Sequence, residues 1–188
     1  MSDVPSADRT RCAWGESTAD YARYHDEEWG VPLRGADELF ERISLEAFQS
    51  GLSWITILRK RESFRAAFAR FDPAVVAEFT EDDIARLMAD TGIVRNRAKI
   101  NATIGNARAV RALDRPLDDL LWSFAPLGNR VRPATMADVP AITAESTAMA
   151  KDLKRRGFAF VGPTTCYALM QAVGMVDDHI ASCWRATA

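Results

Sequence analysis

The sequence has few cysteines, few histidines and no long apolar segment, and each shortage excludes a class of protein. Its 188 residues include three cysteines and two histidines. A chain of this length buries roughly 70% of its unfolded surface and needs no disulfide framework. No apolar run approaches the roughly 20 residues of a membrane-spanning helix, and residues 1–10 lack the apolar core of a secretory signal. The sequence therefore predicts a cytoplasmic protein without a membrane span.

The net charge is small but unevenly distributed. The formal charge of −2 at pH 7 argues against a protein that coats nucleic acid. Residues 91–113, however, contain no acidic residue and five basic ones, which are Arg95, Arg97, Lys99, Arg108 and Arg111. Such a block is usually a solvated face, but it also suits a phosphate backbone. Within it, Gly92 lies in a turn before a predicted helix, where free backbone N–H groups favour phosphate binding.

Apolar residues recur with helical spacing almost throughout. In residues 35–49, Leu39 and Ile43 lie on one apolar stripe, as in an amphipathic helix. Asp72 before Pro73 has the pattern of a helix start, and Gly92 is expected in the left-handed conformation that ends a helix. Further helices are predicted over residues 53–71, after Thr80, over 96–113, after Pro116, and over 143–156 and 164–173. Since no useful stretch alternates with period two, the predicted fold class is all-α.

Both histidines stand at a suggestive distance from a cysteine. Cys183 follows His179 by four residues, which on a helix would place both on one face, and Cys12 precedes His25 by thirteen residues. Two thiolates and two imidazoles suit zinc in a closed tetrahedron with no open position for a substrate. Such pairs also arise by chance, so the spacing alone leaves a structural metal site and a coincidence equally open.

Glu46 is an acidic residue on or beside an apolar stripe. A buried carboxylate is costly unless it is paired, so Glu46 either forms a buried ion pair or faces a pocket. Five aromatic residues come before and after it in the sequence, namely Trp14, Tyr21, Tyr24, Trp29 and Trp54. Aromatic walls around a single carboxylate suit a flat, electron-poor ring, although such residues are more often part of a core.

Together these motifs resemble the bacterial 3-methyladenine DNA glycosylase I family, within the helix-hairpin-helix glycosylases. The resemblance extends in order from Cys12 to Cys183. The matching segments are Cys12–Trp14, Tyr24–Pro32, Leu45–Trp54, Gly92–Ile100, Ile104–Arg108, Trp122–Phe124, Arg155–Gly162, Met170–Ala172 and Asp178–His179. The wider superfamily has a glycine-richer hairpin and a downstream catalytic aspartate. The 3-methyladenine branch lacks that aspartate, so this departure supports the narrower resemblance.

The resemblance implies an enzyme that hydrolyses the N-glycosidic bond of 3-methyladenine in damaged double-stranded DNA and leaves an abasic site. It implies that Glu46 and Tyr24 hydrogen-bond the extruded base, that Trp54 stacks on it, and that Trp14 and Tyr21 complete the pocket. The implied DNA contacts are Gln49, Gly51, Leu52, Gly92, Arg95, Arg97 and Lys99. One structural zinc ion is implied, with the ligands Cys12, His25, His179 and Cys183.

The expected organisation is a single globular unit over residues 1–188 with two helical lobes. The first lobe comprises about residues 1–55 and 155–188, and the second about residues 56–154. We expect a monomer without a nucleotide cofactor. The alternative is a non-catalytic, zinc-stapled helical DNA-binding module. That alternative explains the zinc ligands and the basic hairpin, but it leaves Glu46 and the aromatic cluster without a role.

Overall fold

The computed structural model describes residues 9–128 and 131–186, and within them all regular secondary structure is helical. The predicted all-α class is therefore confirmed. The α-helices of this part are α1 (Ala19–Glu27), α2 (Ala36–Gln49), α3 (Trp54–Ala67), α4 (Pro73–Val76), α5 (Glu81–Ala89), α6 (Arg97–Arg111), α7 (Leu117–Trp122), α8 (Ala144–Arg155) and α9 (Pro163–Ala172). Short 3₁₀ turns lie at Ala13–Glu16, Ala69–Phe71 and Met136–Asp138. Among the described helices, none combines the length and the apolar character required to cross a bilayer.

Short polar side chains begin several of these helices. The Asp72 carboxylate accepts a hydrogen bond from the backbone N–H of Ala74 at 2.8 Å, and Pro73 follows as the first helical residue. The Asn96 side chain accepts from the backbone N–H of Lys99 at 3.1 Å and begins α6. Such caps satisfy N–H groups that have no partner inside the helix. The cap predicted at Asp72 is confirmed.

Helix α2 lies at the centre of the molecule. Every residue from Leu39 to Phe48 is buried, because α3, α6, α7 and α9 pack around the helix. The Phe48 ring lies 4.7 Å from that of Phe64, centroid to centroid, in the core between α2 and α3. Surrounding α2 on all sides also buries its polar residues, including Arg42 and Glu46, and buried polar groups need either partners or a ligand.

The turn between α5 and α6 contains Gly92, which is not among the glycines with positive φ. The prediction of a left-handed helix end at this position is therefore wrong. Close packing accounts for the glycine instead, since a Cβ there would lie 2.9 Å from the Asp90 side chain and 3.0 Å from Ser63 Cβ. The Lys60 ammonium donates to the carbonyls of Thr91 and Gly92 at 3.0 and 3.1 Å and fixes the turn to α3.

The segment from 177 to 186 contains no helix. The expectation that His179 and Cys183 share a helical face is therefore wrong. Long-range hydrogen bonds determine the path of this segment instead: Ala181 donates to the Pro133 carbonyl at 2.9 Å, and Trp184 donates to the Thr10 carbonyl at 2.9 Å. These contacts bring the last described segment against the first.

Candidate active site

A cavity of about 430 Å³ is bordered by α1, α2, α3, α9 and the segment before α8. A cavity of this size accommodates a small molecule or a single base. It is lined by Trp14, Tyr21, Tyr24, Trp29, Glu46, Gln49, Trp54, Met136, Val139, Pro140, Ala141, Thr164, Tyr167, Ala168, Gln171 and Ala172. The structure therefore brings together in one cavity the acid and the five aromatic residues that the sequence singled out.

The aromatic wall is built mainly on α1. Tyr21 and Tyr24 are three residues apart and share one helical face. The Trp14 ring meets Tyr21 edge-on at 5.6 Å, and the Tyr24 ring lies 5.5 Å from Trp54, between centroids. The Tyr21 hydroxyl accepts from the backbone N–H of Ile55 at 2.9 Å. This bond fixes the start of α3, and with it the position of Trp54.

Glu46 brings a carboxyl group to the cavity from the buried helix α2. The residue is only 5% exposed, and burial raises its pKa to about 7, while the charge of Arg42 acts in the opposite direction. Within residues 9–128 and 131–186, no protein donor hydrogen-bonds the carboxylate. Burial also raises the pKa of the Tyr24 hydroxyl, which therefore remains a protonated donor at neutral pH. The cavity thus offers an acceptor and a donor to a ligand.

A chain of charged residues supports the pocket from behind. Arg42 donates to Glu28 at 2.7 Å, and Arg61 donates to the same carboxylate at 2.5 and 2.9 Å. The Arg42 guanidinium also lies 5.5 Å from the centre of the Tyr24 ring. Sequence analysis missed this group, although the four-residue spacing of Arg42 and Glu46 on a helix was a usable signal.

The far wall of the cavity comes from elements to which the sequence assigned no function. Val139 and Pro140 belong to the connection between α7 and α8, and Thr164 and Ala168 belong to α9. These residues carry no reactive group and no recognisable pattern. The packing of α9 beside α2 brings Thr164 and Ala168 to the cavity that Glu46 also lines.

The loop between α2 and α3 lies at the edge of the cavity. Gln49 lines the cavity, Gly51 has a φ of 79°, and the Leu52 side chain is 42% exposed. The loop is tied down by Lys99, whose ammonium donates to the carbonyls of Phe48 at 2.8 Å and Ser50 at 2.5 Å. Lys99 is buried, and its charge stabilises the carbonyl groups at the end of α2. This role differs from the expected phosphate contact.

The other basic residues of the hairpin lie at the surface. Arg95 and Arg97 are exposed, and Arg97 is 3.3 Å from the carboxylate of Glu81. The backbone N–H of Gly92 donates to Asp90 at 2.7 Å, so this N–H is engaged within the turn. The guanidinium groups of Arg95 and Arg97 remain the parts of the predicted phosphate site that face solvent.

The predicted zinc ligands converge from both ends of the described chain. One ligand atom each of Cys12, His25 and Cys183 lies within 4.8 Å of the other two, and all three residues are buried. His25 Nε2 is 3.3 Å from the Cys183 sulfur. The His179 ring is 4.9 Å from that of His25, between centroids. Nε2 of His179 is buried, with no hydrogen-bond partner in the described part of the chain.

The second nitrogen of each imidazole is held by a carboxylate. His25 Nδ1 is 2.8 Å from Asp26, and His179 Nδ1 is 2.7 Å from Asp177. A carboxylate on Nδ1 is typical of histidines whose Nε2 binds a metal. Nε2 of His25 lies 3.4 Å from the Cys12 backbone nitrogen and 3.3 Å from the Cys183 sulfur, among the candidate ligands. Asp178, which is next to Asp177 in the sequence, accepts from the Tyr167 hydroxyl at 2.5 Å instead.

The helical fold with its aromatic, carboxylate-bearing pocket is that of a base-recognising glycosylase family. A family model described as methyladenine glycosylase matches residues 14–186, and the chain belongs to this family. It is 49% identical over 177 residues to DNA-3-methyladenine glycosylase 1 of Escherichia coli (strain K12), covering 92% of this chain and 95% of that protein.

Solved structures give the same relationship. A crystal structure of 3-methyladenine DNA glycosylase I superposes with a TM-score of 0.90 at 47% identity, covering 94% of this chain and 99% of that chain. A tyrosine-to-phenylalanine variant of 3-methyladenine DNA glycosylase I, solved in complex with 3-methyladenine, superposes with a TM-score of 0.85 at 35% identity. That match covers 92% of this chain and 95% of the other.

Proposed function

We propose that this protein is a monofunctional DNA-3-methyladenine glycosylase. It hydrolyses the N-glycosidic bond of 3-methyladenine in alkylated double-stranded DNA and leaves an abasic site. The observation that carries the proposal is the buried Glu46 carboxyl group in an aromatic cavity, in a chain that belongs to the methyladenine glycosylase family.

The chemistry of the substrate matches the cavity. Methylation at N3 places a positive charge on adenine and weakens its bond to the sugar, so the base needs little acid catalysis to leave. An enzyme for this lesion has to extract the base from the duplex and recognise it, and extrusion costs least for a poorly stacked, damaged base. Aromatic rings and a carboxylate attract a cationic, flat base by stacking and by opposite charge.

Five residues of the pocket have a role in this proposal. Glu46 accepts a hydrogen bond from the exocyclic amine of the base. Tyr24 donates a hydrogen bond to the base, and Trp54 stacks on the ring of the base. Trp14 and Tyr21 complete the wall. Water then forms a bond to the sugar C1′, and the departing base takes the electron pair of the broken glycosidic bond and becomes neutral. The proton lost by the water passes to solvent.

The absence of a suitable amine supports a monofunctional reaction. Strand cleavage by a glycosylase uses an amine that forms a Schiff base with the sugar. Among the described residues no lysine lines the cavity, and the buried Lys99 ammonium is bound to two carbonyls. The product in this proposal is therefore an intact strand with an abasic site.

The DNA would cross the edge of the cavity. The exposed Leu52, with Gln49 and Gly51 beside it, would fill the gap that the extruded nucleotide leaves. The exposed Arg95 and Arg97 of the α5–α6 turn would contact phosphates, as in a helix-hairpin-helix element. Gly92 would contribute by shaping the turn that presents them, since its own N–H and carbonyl are bound within the protein.

We further propose one structural zinc ion bound by Cys12, His25, His179 and Cys183. The buried, unpartnered Nε2 of His179 and the carboxylate on each Nδ1 support this donor set. When bound, the ion would hold the first and last described segments together, and both segments belong to the first lobe. Residues 56–154 would form the second lobe. The proposed enzyme acts as a monomer without a nucleotide cofactor, and a zinc ion with four protein ligands contributes no chemistry to base release.

Chromatography of the free bases released from methylated duplex DNA tests the function. The wild-type protein is expected to release 3-methyladenine and to leave 7-methylguanine in place, and Glu46→Gln is expected to release far less. A protein that binds the duplex without releasing any base would instead be the non-catalytic DNA-binding module. Full activity of Glu46→Gln would show that base release does not require the carboxylate.

A further inference from the structure

Phe160 combines exposure with an unfavourable backbone conformation. Its side chain is 39% exposed, and its φ is 56°, in the left-handed region that bulky residues rarely adopt. An aromatic residue that packed against the core would recover the cost of this conformation by burial. Phe160 recovers little, so the conformation requires another explanation.

The loop that carries Phe160 is held by a buried amide. The Asn106 side chain of α6 donates to the Ala159 carbonyl at 3.1 Å and accepts from the Ala159 backbone N–H at 2.8 Å. Asn106 is only 1% exposed, and such doubly bonded buried amides fix a backbone firmly. The residue next to Phe160 is therefore held in place, and the exposed ring stands on a rigid support.

The same face of α6 also holds the loop that carries Leu52. Lys99 and Asn106 are seven residues apart, which places them on one helical face about 10 Å apart along the axis. Lys99 binds the Ser50 carbonyl, whereas Asn106 binds Ala159. Two loops, each with an exposed apolar side chain, are therefore fastened side by side to one helix.

Each loop is connected to a helix residue that lines the cavity. Gln49 comes directly before the Leu52 loop and lines the cavity, and so does Thr164, four residues after Phe160. Lys154 and Arg155, which precede the Phe160 loop, are exposed and add positive charge beside it. The edge of the cavity thus carries two apolar tips and basic side chains, which matches a duplex with an interrupted stack.

We propose that Phe160 is a second DNA-contacting residue, whose ring stacks on a base beside the extruded nucleotide while Leu52 enters the gap. The proposal rests on the proposed function, because only an enzyme that extrudes a base creates an interrupted stack. Aromatic side chains stack on exposed bases of any sequence. Phe160 would therefore stabilise the opened duplex without selecting the damaged base.

Binding to a duplex with an uncleavable abasic-site analogue tests the contact. Phe160→Ala is expected to weaken this binding about tenfold, and Phe160→Trp is expected to retain it. Binding of free 3-methyladenine should not change, since the cavity is intact. The matched control is Val75→Ala on α4, which removes another exposed apolar side chain (46% exposed) and should leave duplex binding unchanged.

Stability measurements separate this contact from a structural role. Because glycine adopts positive φ freely, Phe160→Gly is expected to keep or raise the melting temperature while it weakens duplex binding as Phe160→Ala does. A lowered melting temperature with unchanged duplex affinity would show that Phe160 only packs, and would overturn the proposal.

A photocrosslinking benzophenone amino acid at position 160 provides a direct measurement. It is expected to crosslink to the duplex near the abasic-site analogue, and the same group at position 75 is not. Absence of a crosslink at position 160 in a protein that releases 3-methyladenine would reject the contact and leave the proposed function standing. A wild-type protein that releases no 3-methyladenine would instead reject the function itself.

Discussion

Arg42 lies one helical turn before Glu46 on α2, and its positive charge opposes the effect of burial on the pKa of the Glu46 carboxyl group. The other charged groups near this pair include Glu28 on the connection after α1, Arg61 on α3, and Glu41 on α2, whose charge acts on Arg42. The α9 side chains that line the cavity, such as Tyr167 and Gln171, carry no formal charge. The ionisation of Glu46 therefore depends first on its burial and second on the charge of Arg42.

Base excision should lose activity below neutral pH. The pKa of Glu46 is raised to about 7, so the carboxylate that opposes the charge of the base is progressively protonated as the pH falls through 7. Below this pKa, we expect the single-turnover rate to increase about tenfold for each unit by which the pH rises. Above this pKa, the rate is expected to level off. A rate that stays flat from pH 5 to 8 would contradict the role of the ionised carboxylate.

Replacing Arg42 should move this pH dependence. Arg42→Met removes the charge that lowers the Glu46 pKa, so the acidic limb of the rate profile is expected to shift to higher pH. Activity at pH 7 should fall severalfold and recover near pH 9, whereas Arg42→Lys should shift the profile less. The surface variant Arg59→Met, which breaks an exposed ion pair with Asp20, serves as the control and should keep the wild-type profile.

Glu46→Gln should stabilise the protein while it inactivates it. Because the folded-state pKa of about 7 exceeds the ordinary value of 4.5 for a glutamate, the folded protein holds this proton more tightly, and stability falls as the pH rises from 4.5 to 7. Each pKa unit corresponds to about 1.4 kcal/mol. The variant should therefore gain up to about 3 kcal/mol at pH 8 relative to wild type, and almost nothing at pH 4, in denaturant unfolding.

The matched control for this stability measurement is Glu41→Gln on the same helix. Glu41 accepts two hydrogen bonds from Arg65, at 2.8 and 2.7 Å, so its replacement removes a satisfied ion pair. Glu41→Gln should lower stability at pH 8. If both variants changed stability in the same direction, burial of an unsatisfied carboxylate would not explain the behaviour of Glu46.

Loss of a proposed zinc ligand should affect stability and spare the chemistry of base release. Cys183→Ala is expected to lose bound zinc and to lower the melting temperature, because structural zinc sites contribute directly to folding. The folded fraction should still release 3-methyladenine. Cys166→Ala is the control, since Cys166 is buried apart from the cluster. It should keep its zinc, measured by atomic emission, and a folded but inactive Cys183→Ala would point to a catalytic ion.

Substitutions of Lys99 and Arg97 should distinguish a residue that supports the fold from a residue that contacts phosphate. Lys99→Met leaves the carbonyls of Phe48 and Ser50 without their donor, so it should lower stability by about 2 kcal/mol and leave the salt dependence of DNA binding unchanged. Arg97→Met should reduce the slope of log affinity against log salt by about 1 and keep the wild-type stability. The reverse pattern would restore Lys99 as the phosphate contact.

Sequence patterns predicted the parts of the molecule that depend on local chemistry. Helix caps such as Asp72 and the aromatic face of α1 follow from short-range spacing, and the structure shows both. Lys99 was misassigned because a basic block gives no sign that one member turns inward. Its partner Phe48 is 51 residues away in sequence, and only the packing of α6 against the end of α2 brings the two together.

Other features of the site arise only in three dimensions. The spacing of His179 and Cys183 fits a helical turn, yet hydrogen bonds to Thr10 and Pro133 set the path of this segment. Periodicity carries no information about such distant partners. Likewise, Phe160 lies in a segment that resembles the family, but the sequence gives no sign of its left-handed backbone, which the structure shows beside a residue held by Asn106.

Asp26 accepts hydrogen bonds from Arg11 at 2.7 Å and from the Trp184 indole at 3.1 Å. One carboxylate therefore joins two segments that lie 158 residues apart in the sequence. Asp26 belongs to the same helix as Tyr21 and Tyr24, which line the pocket. Displacement of Trp184 would therefore remove a support from the helix that carries part of the aromatic wall.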